Sequence, residues 1–182
     1  MSTPTSLPNQ FAVTVLGHDR PGIIAEATAR LADLGLNLED STMTLLRGHF
    51  AMMLICSDSS SAVDEAAIAA ALAPLAADGT LDVTVRDIPD EEAGARIGSP
   101  YVLTVHGGDR PGIVSAVVAE VARVGGNITD LTTRLAGDLY LLIAEIDLPA
   151  MVEFGALESA VSEAASRLGV VATLRAVETD EL

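Results

Sequence analysis

Apolar residues change their spacing along this chain in an order that then repeats. From Phe11 to Leu16 they form a short, imperfectly alternating run of the kind a central strand carries. The stretch Gly17-His18-Asp19-Arg20-Pro21-Gly22 breaks that run, and Pro21 is placed to occupy the first turn of a helix. Ile23, Ala27, Leu31 and Leu34 follow at helical spacing and give one apolar face, which Gly35 stops in a left-handed conformation. A second strand is predicted over 38–46, a tight turn at Arg47-Gly48, and a return strand over 50–56. A second helix is predicted over 61–77, with Pro74 late in it where proline kinks or ends a helix. A last strand covers 81–86.

The same order returns 90 residues later. Fifteen of the 35 positions in 11–45 are identical to their counterparts in 101–135, including Asp-Arg-Pro-Gly-Ile at 19–23 and 109–113. Ile113, Val117, Val121 and Val124 rebuild the helical face, Gly125 the stop, and Gly137-Asp138 the turn before the apolar run 139–146. A helix over 154–168 and a strand over 170–177 complete the copy. Each copy reads strand-helix-strand-strand-helix-strand, which predicts an α+β fold: a four-stranded antiparallel sheet with two helices on one face. The domains are placed at 11–88 and 100–178, with a flexible terminus over 1–10 and an acidic, glycine-containing linker over 89–99. Thr14, Leu16, Met53 and Ile55 alternate onto the face away from the helices. That face is too apolar to be left wet, so packing between copies and a homo-oligomer, a dimer, are expected.

Charge narrows the function. The 182 residues carry 26 acids against 10 bases, a net charge of -16. Every base is arginine, so a Schiff-base or phosphate-loop lysine is excluded. The acidity is spread evenly over both copies and repels a phosphate backbone, which argues against direct nucleic-acid binding. Nearly half the residues are hydrophobic but only 3% are aromatic, so the core is aliphatic. Cys56 is the only cysteine and sits in an apolar run as a buried filler, with no internal disulfide available to it. The amino terminus has neither a basic nor an apolar leader region, and no run is long enough to cross a bilayer. The expectation is a cytoplasmic protein away from membranes.

The most specific chemistry lies in the repeated turns, Gly17-His18-Asp19-Arg20-Pro21-Gly22 and Gly107-Gly108-Asp109-Arg110-Pro111-Gly112. Each joins a strand to a helix whose first amides attract carboxylates and phosphates, and Gly22 and Gly112 keep side chains out of the approach. Alternatively, Asp19 and Asp109 cap the helix by accepting those amides. Asn37 and Asn127, at the start of the second strand, offer a donor and an acceptor, which suits a free amino acid. If the first two strands lie side by side, Asn37 comes near the Asp19 turn. Asp40 and Asp130 form an acidic rim or face solvent. Arg20 and Arg110 either serve a ligand or pair with acids across a domain interface. His18 and His106 border the turns, His49 is predicted in a hairpin turn, and no histidine has metal-ligand spacing. No nucleophile elbow or catalytic combination stands out, and no cofactor is indicated.

These residues carry a resemblance. Gly17, Asp19, Arg20, Pro21, Gly22, Ile23, Gly35, Asn37 and Asp40, with Gly107, Asp109, Arg110, Pro111, Gly112, Ile113, Gly125, Asn127, Ile128 and Asp130, make each copy resemble the ACT domain, a ferredoxin-like regulatory module. Two such modules and nothing else resemble the glycine cleavage system transcriptional repressor group. The Asp-Arg-Pro-Gly form also occurs in modules fused to formyltetrahydrofolate deformylases, nucleotidylyl transferases and phosphoserine phosphatases. The resemblance implies a small effector, often an amino acid, bound between modules by Gly17 to Gly22 with Asn37 and by Gly107 to Gly112 with Asn127. It also implies action through a partner protein, a transcription factor or a metabolic enzyme, rather than on DNA. Leu36 and His18 stand where the second copy has Gly126 and Gly108, so the two sites are expected to differ. The expected function is a non-enzymatic sensor of an amino acid such as glycine or serine. The alternatives are an interaction scaffold without a ligand site and, further off, a small-molecule enzyme.

Overall fold

The computed structural model describes residues 9–59, 62–89 and 98–177. The chain divides into two compact units, residues 1–93 and 94–182. In the first, β1 (Asn9–His18), α1 (Ile23–Asp33), β2 (Asn37–Leu46), β3 (His49–Asp58), α2 (Glu65–Leu72) and β4 (Leu81–Ile88) follow the predicted order. The second repeats it as β5 (Gly98–Gly108), α3 (Ile113–Arg123), β6 (Asn127–Ala136), β7 (Leu139–Pro149), α4 (Phe154–Arg167) and β8 (Val170–Ala176). The sheets are antiparallel, in the orders β2-β3-β1-β4 and β6-β7-β5-β8.

One face of each sheet makes the core. Phe11, Val13 and Val15 of β1 and Phe50, Met52, Leu54 and Cys56 of β3 pack with Ile23, Ala27 and Leu31 of α1 and Ile68 and Leu72 of α2. These alternate strand positions and i, i+4 helix positions each collect on a single side of their element. In the second unit Leu103, Val105, Leu142, Ala144 and Ile146 meet Ile113, Val117, Val121, Leu157 and Val161 in the same way. Burial of this aliphatic area is the dominant favourable term in each unit.

Several boundaries move. β1 begins at Asn9, so Asn9 and Gln10 of the predicted flexible terminus are strand; residues 1–8 lie outside the described residues. Of the predicted linker, Gly98 and Ser99 open β5, and 90–97 lie outside the described residues. The predicted helix over 61–77 is shorter: Ser61 lies outside the described residues, and α2 starts at Glu65, where the Asp64 carboxylate accepts the Ala67 amide at 2.8 Å. α2 ends at Leu72, and Ala73–Ala76 form a 3-10 turn with Pro74 in its opening positions. Proline lacks the amide an α-helix needs there, but the first turn of a new segment does not require it.

Each sheet has two outer strands, β2 and β4 in one and β6 and β8 in the other. All ten residues of β2 are exposed; β6 matches it except at half-buried Ile128. The face away from the helices carries Leu16 and Met53, which are 54% and 43% exposed, in rows such as Thr42-Met53-Thr14-Thr84. A hollow of about 380 Å³ on this sheet is lined in part by Thr14, Leu16, Thr42, Met53 and Asp82.

Candidate functional site

The repeated turns are built alike. After β1, the His18 amide donates to the Thr80 carbonyl at 3.0 Å and the Asp19 amide to the Gly48 carbonyl at 3.0 Å. In the second unit the Asp109 amide reaches the Asp138 carbonyl at 3.3 Å. A side chain at Gly17 would run into the Thr80 carbonyl, so the strand crosses that point only as glycine. Gly22 and Gly112 then take φ of 91° and 92° as the residues immediately before α1 and α3. Pro21 therefore precedes the helix instead of lying in its first turn.

The capping question is settled by position. A capping side chain belongs to the residue directly before the helix, and here that residue is glycine. Neither α1 nor α3 receives a side-chain cap, so Asp19 and Asp109 do not take up the helix amides. Both aspartates are exposed. The helix starts are left with free donors and the positive end of the peptide dipoles.

Asn37 does not join this turn. β3 lies between β1 and β2, so the first two strands are not neighbours. Asn37 pairs with Ser57 at one end of β3, whereas His18 pairs with His49 at the other. Those ends are eight residues apart, roughly 26 Å of extended chain. Asn127, opposite Asp147, stands at the equivalent distant end of its sheet. The helix between β1 and β2 runs the length of the sheet, which sends its two ends to opposite edges. Asp40 and Asp130 are exposed there too, and Asp40 accepts the amide of Ser41 at 2.7 Å.

His49 opens β3 instead of lying in the hairpin turn, which is Arg47-Gly48 with φ of 50° and 83°. It is thereby the cross-strand partner of His18, and the ring centroids are 5.1 Å apart. Neither residue alone signalled this pairing in the sequence, since it depends on register. His106 is exposed on β5 opposite Leu141 and Val171.

The two arginines differ in their surroundings. Arg20 forms an ion pair with Glu26 at 3.1 Å, and Arg30 binds the other oxygen of Glu26 at 2.9 Å. The Arg30 and Arg20 hydrogen bonds hold the Glu26 carboxyl below its ordinary range. Asp78 is likewise lowered, chiefly by the hydroxyl and amide of Thr80, and Arg20 adds an attraction. Arg110 lies over Gly169, where a Cβ would meet its Cζ at 3.7 Å. It makes no ion pair or hydrogen bond among the described residues. Beside it a hollow of about 300 Å³ is lined by Asp109, Arg110, Gly112, Ile113, Val114, Ser115 and Tyr140. Tyr140 and Ser115 were not singled out in the sequence; they stand where the first copy has Phe50 and Ala25.

Cys56 is buried in the core and burial pushes its thiol up, as expected of a filler. Among the described residues no group of three or more His, Cys, Asp or Glu could hold a metal ion. No helix among them is long and apolar enough to cross a membrane.

Comparison with known proteins converges on the duplicated unit. The ACT domain family matches residues 9–86 and again residues 99–175. This chain belongs to the ACT-domain family. It is a tandem ACT-domain protein of the UPF0237-like kind, 35% identical over 74 residues to a UPF0237 protein of Corynebacterium diphtheriae. That match covers 41% of this chain and 83% of the relative. A Streptococcus mutans UPF0237 protein is 45% identical over 49 residues, 27% of this chain, and the match spans only 56% of that relative's length. Among solved structures, a protein of unknown function from Galdieria sulphuraria superposes with a TM-score of 0.79 at 30% identity, covering 94% of this chain and 99% of that one. A candidate glycine cleavage system transcriptional repressor superposes with a TM-score of 0.69 at 17% identity, over 96% and 100% of the two chains. At that identity the likeness concerns the fold alone. ACT modules are typically regulatory, not catalytic.

Proposed function

We propose that this tandem ACT protein senses a small metabolite, an amino acid such as glycine or serine, and passes the signal to a protein partner. The observation that carries this reading is the repeated turn. In each copy a glycine stands where a capping side chain would, so that uncapped helix amides face an approach bordered by an arginine and an aspartate. Amides and guanidinium suit a carboxylate, and an exposed aspartate suits an ammonium group. Gly17, His18, Asp19, Arg20, Pro21 and Gly22 form one such turn, and Gly107, Gly108, Asp109, Arg110, Pro111 and Gly112 the other. Asn37 and Asn127 complete a pocket only when another module supplies them, because within a module they stand at the far end of the sheet. A ligand shared between modules would stabilise one arrangement by its differential affinity for it, and the partner would read that arrangement. The partner is a transcription factor or a metabolic enzyme, and the assembly a homo-oligomer.

A thermal-shift screen of the whole chain against the twenty free amino acids tests this. Binding to the folded state raises the apparent Tm with free ligand concentration relative to Kd. We expect a saturable rise with one or two amino acids that disappears in the Asn37→Ala, Asn127→Ala double variant. A flat screen on folded protein would favour the interaction scaffold, a reading that the fully exposed edge strand β2 also supports.

A further inference from the structure

The two turns share a motif but not its electrostatic setting. In the first copy Arg20 is engaged: Glu26 pairs with it at 3.1 Å and Asp78 attracts it. Arg30 holds the second oxygen of Glu26 and fixes the carboxylate in place. In the second copy the positions of Glu26 and Arg30 are taken by Ala116 and Glu120. Glu120 turns instead to Arg123, at 2.7 Å. The ion-pair partner of the turn arginine has thus been replaced by an apolar residue, and Arg110, without an ion pair among the described residues, lines the hollow of about 300 Å³.

Other substitutions run the same way. Phe50, sealed in the first core, is replaced by half-buried Tyr140, which lines the hollow and whose hydroxyl has no protein partner among the described residues. His18, paired with His49 at the mouth of the first turn, is replaced by Gly108, and a Cβ there would meet nothing within 4 Å. Arg110, Tyr140 and Asp109 therefore line one open space, and the Arg110 guanidinium has no ion pair among the described residues.

We propose that the second copy is the ligand-binding one. Arg110, with the Tyr140 hydroxyl, receives the carboxylate of a small zwitterion and Asp109 its ammonium, while Glu26 withdraws Arg20 from the same task in the first copy. This rests on the sensing reading above and narrows it to one site per chain. A guanidinium already paired to a carboxylate has part of its charge and donors taken up, so a second carboxylate gains less from it than from an unpaired one.

The experiment is calorimetric titration of the whole chain with each free amino acid, acetate and inorganic phosphate, alongside NMR spectra of the arginine Nε–H groups. The expected result is one site per chain for an amino acid. The Arg110 signal should move and the Arg20 signal should not, and affinity should fall about tenfold or more in Arg110→Ala. A second variant, Ala116→Glu with Glu120→Arg, rebuilds the first copy's charge chain around Arg110. It should lose binding while keeping the parent's circular dichroism and Tm. Two equal sites per chain, or full affinity in Arg110→Ala, would overturn the one-copy assignment and leave the sensing reading standing. Binding of phosphate but of no amino acid would overturn the zwitterion. Binding of none of these probes would overturn both readings together.

Discussion

Glu26 shows how one side chain decides what its neighbours are free to do. Its carboxylate bridges Arg20 and Arg30 from within the first turn of α1, where negative charge is also favoured by the peptide dipoles. Because the folded state lowers its pKa from the ordinary 4.5, its contribution to stability is present above that value and is lost as pH falls through the lower folded value. All three side chains keep a third or so of their surface exposed, so the contribution is modest. We expect Glu26→Gln to be modestly less stable than the parent near neutrality, with the gap closing as pH falls below about 4.5; Tm measured across that range checks it. The repeated Asp-Arg-Pro-Gly motif was plain in the sequence. The difference between Arg20 and Arg110 was not, because it depends on which residues the helix start and the β4 and β8 approaches bring beside each guanidinium.

At the scale of elements, local signals were reliable where they act within a turn of helix. Gly35 and Gly125 stop α1 and α3 with φ of 78° and 75°, as their positions predict. The second helix of the first unit is shorter than its sequence pattern because apolar alanines continue past both of its ends. Asp64 starts it and Pro74 prevents it from continuing as an α-helix. Removing the start should matter: Asp64→Ala is expected to cost about 1 kcal/mol, read as a lowered urea midpoint with an unchanged slope. His49 was misplaced in the turn for a related reason. A two-residue Arg47-Gly48 turn leaves no room for a third residue outside the ladder, and the register then sets His49 opposite His18.

For the whole molecule the main facts are charge and duplication. A net charge of -16 shared by both units repels a polyanion. We expect no retardation of duplex DNA by the protein at physiological salt in a gel-shift assay; retardation by the protein alone would show that charge does not govern its choice of partner. Duplication has also let the copies diverge. Glu26 against Ala116 and Phe50 against Tyr140 change what each turn can hold while leaving the strand order of both sheets the same.

From the sequence alone came the repeat, the order of elements, the aliphatic core and the two special turns. All of these rest on spacings within a few residues or on direct comparison of one copy with the other. The strand order, the register and the pairing of charges came only from the tertiary structure. Placing β3 between β1 and β2 carried Asn37 to the far end of the sheet from the turn it was expected to join. Glycine at the capping position removed Asp19 and Asp109 as caps, and Glu26 occupied one turn arginine while leaving the other open. Such outcomes depend on contacts between residues far apart in the chain or on where a charged group points, and no local pattern of hydrophobicity encodes either.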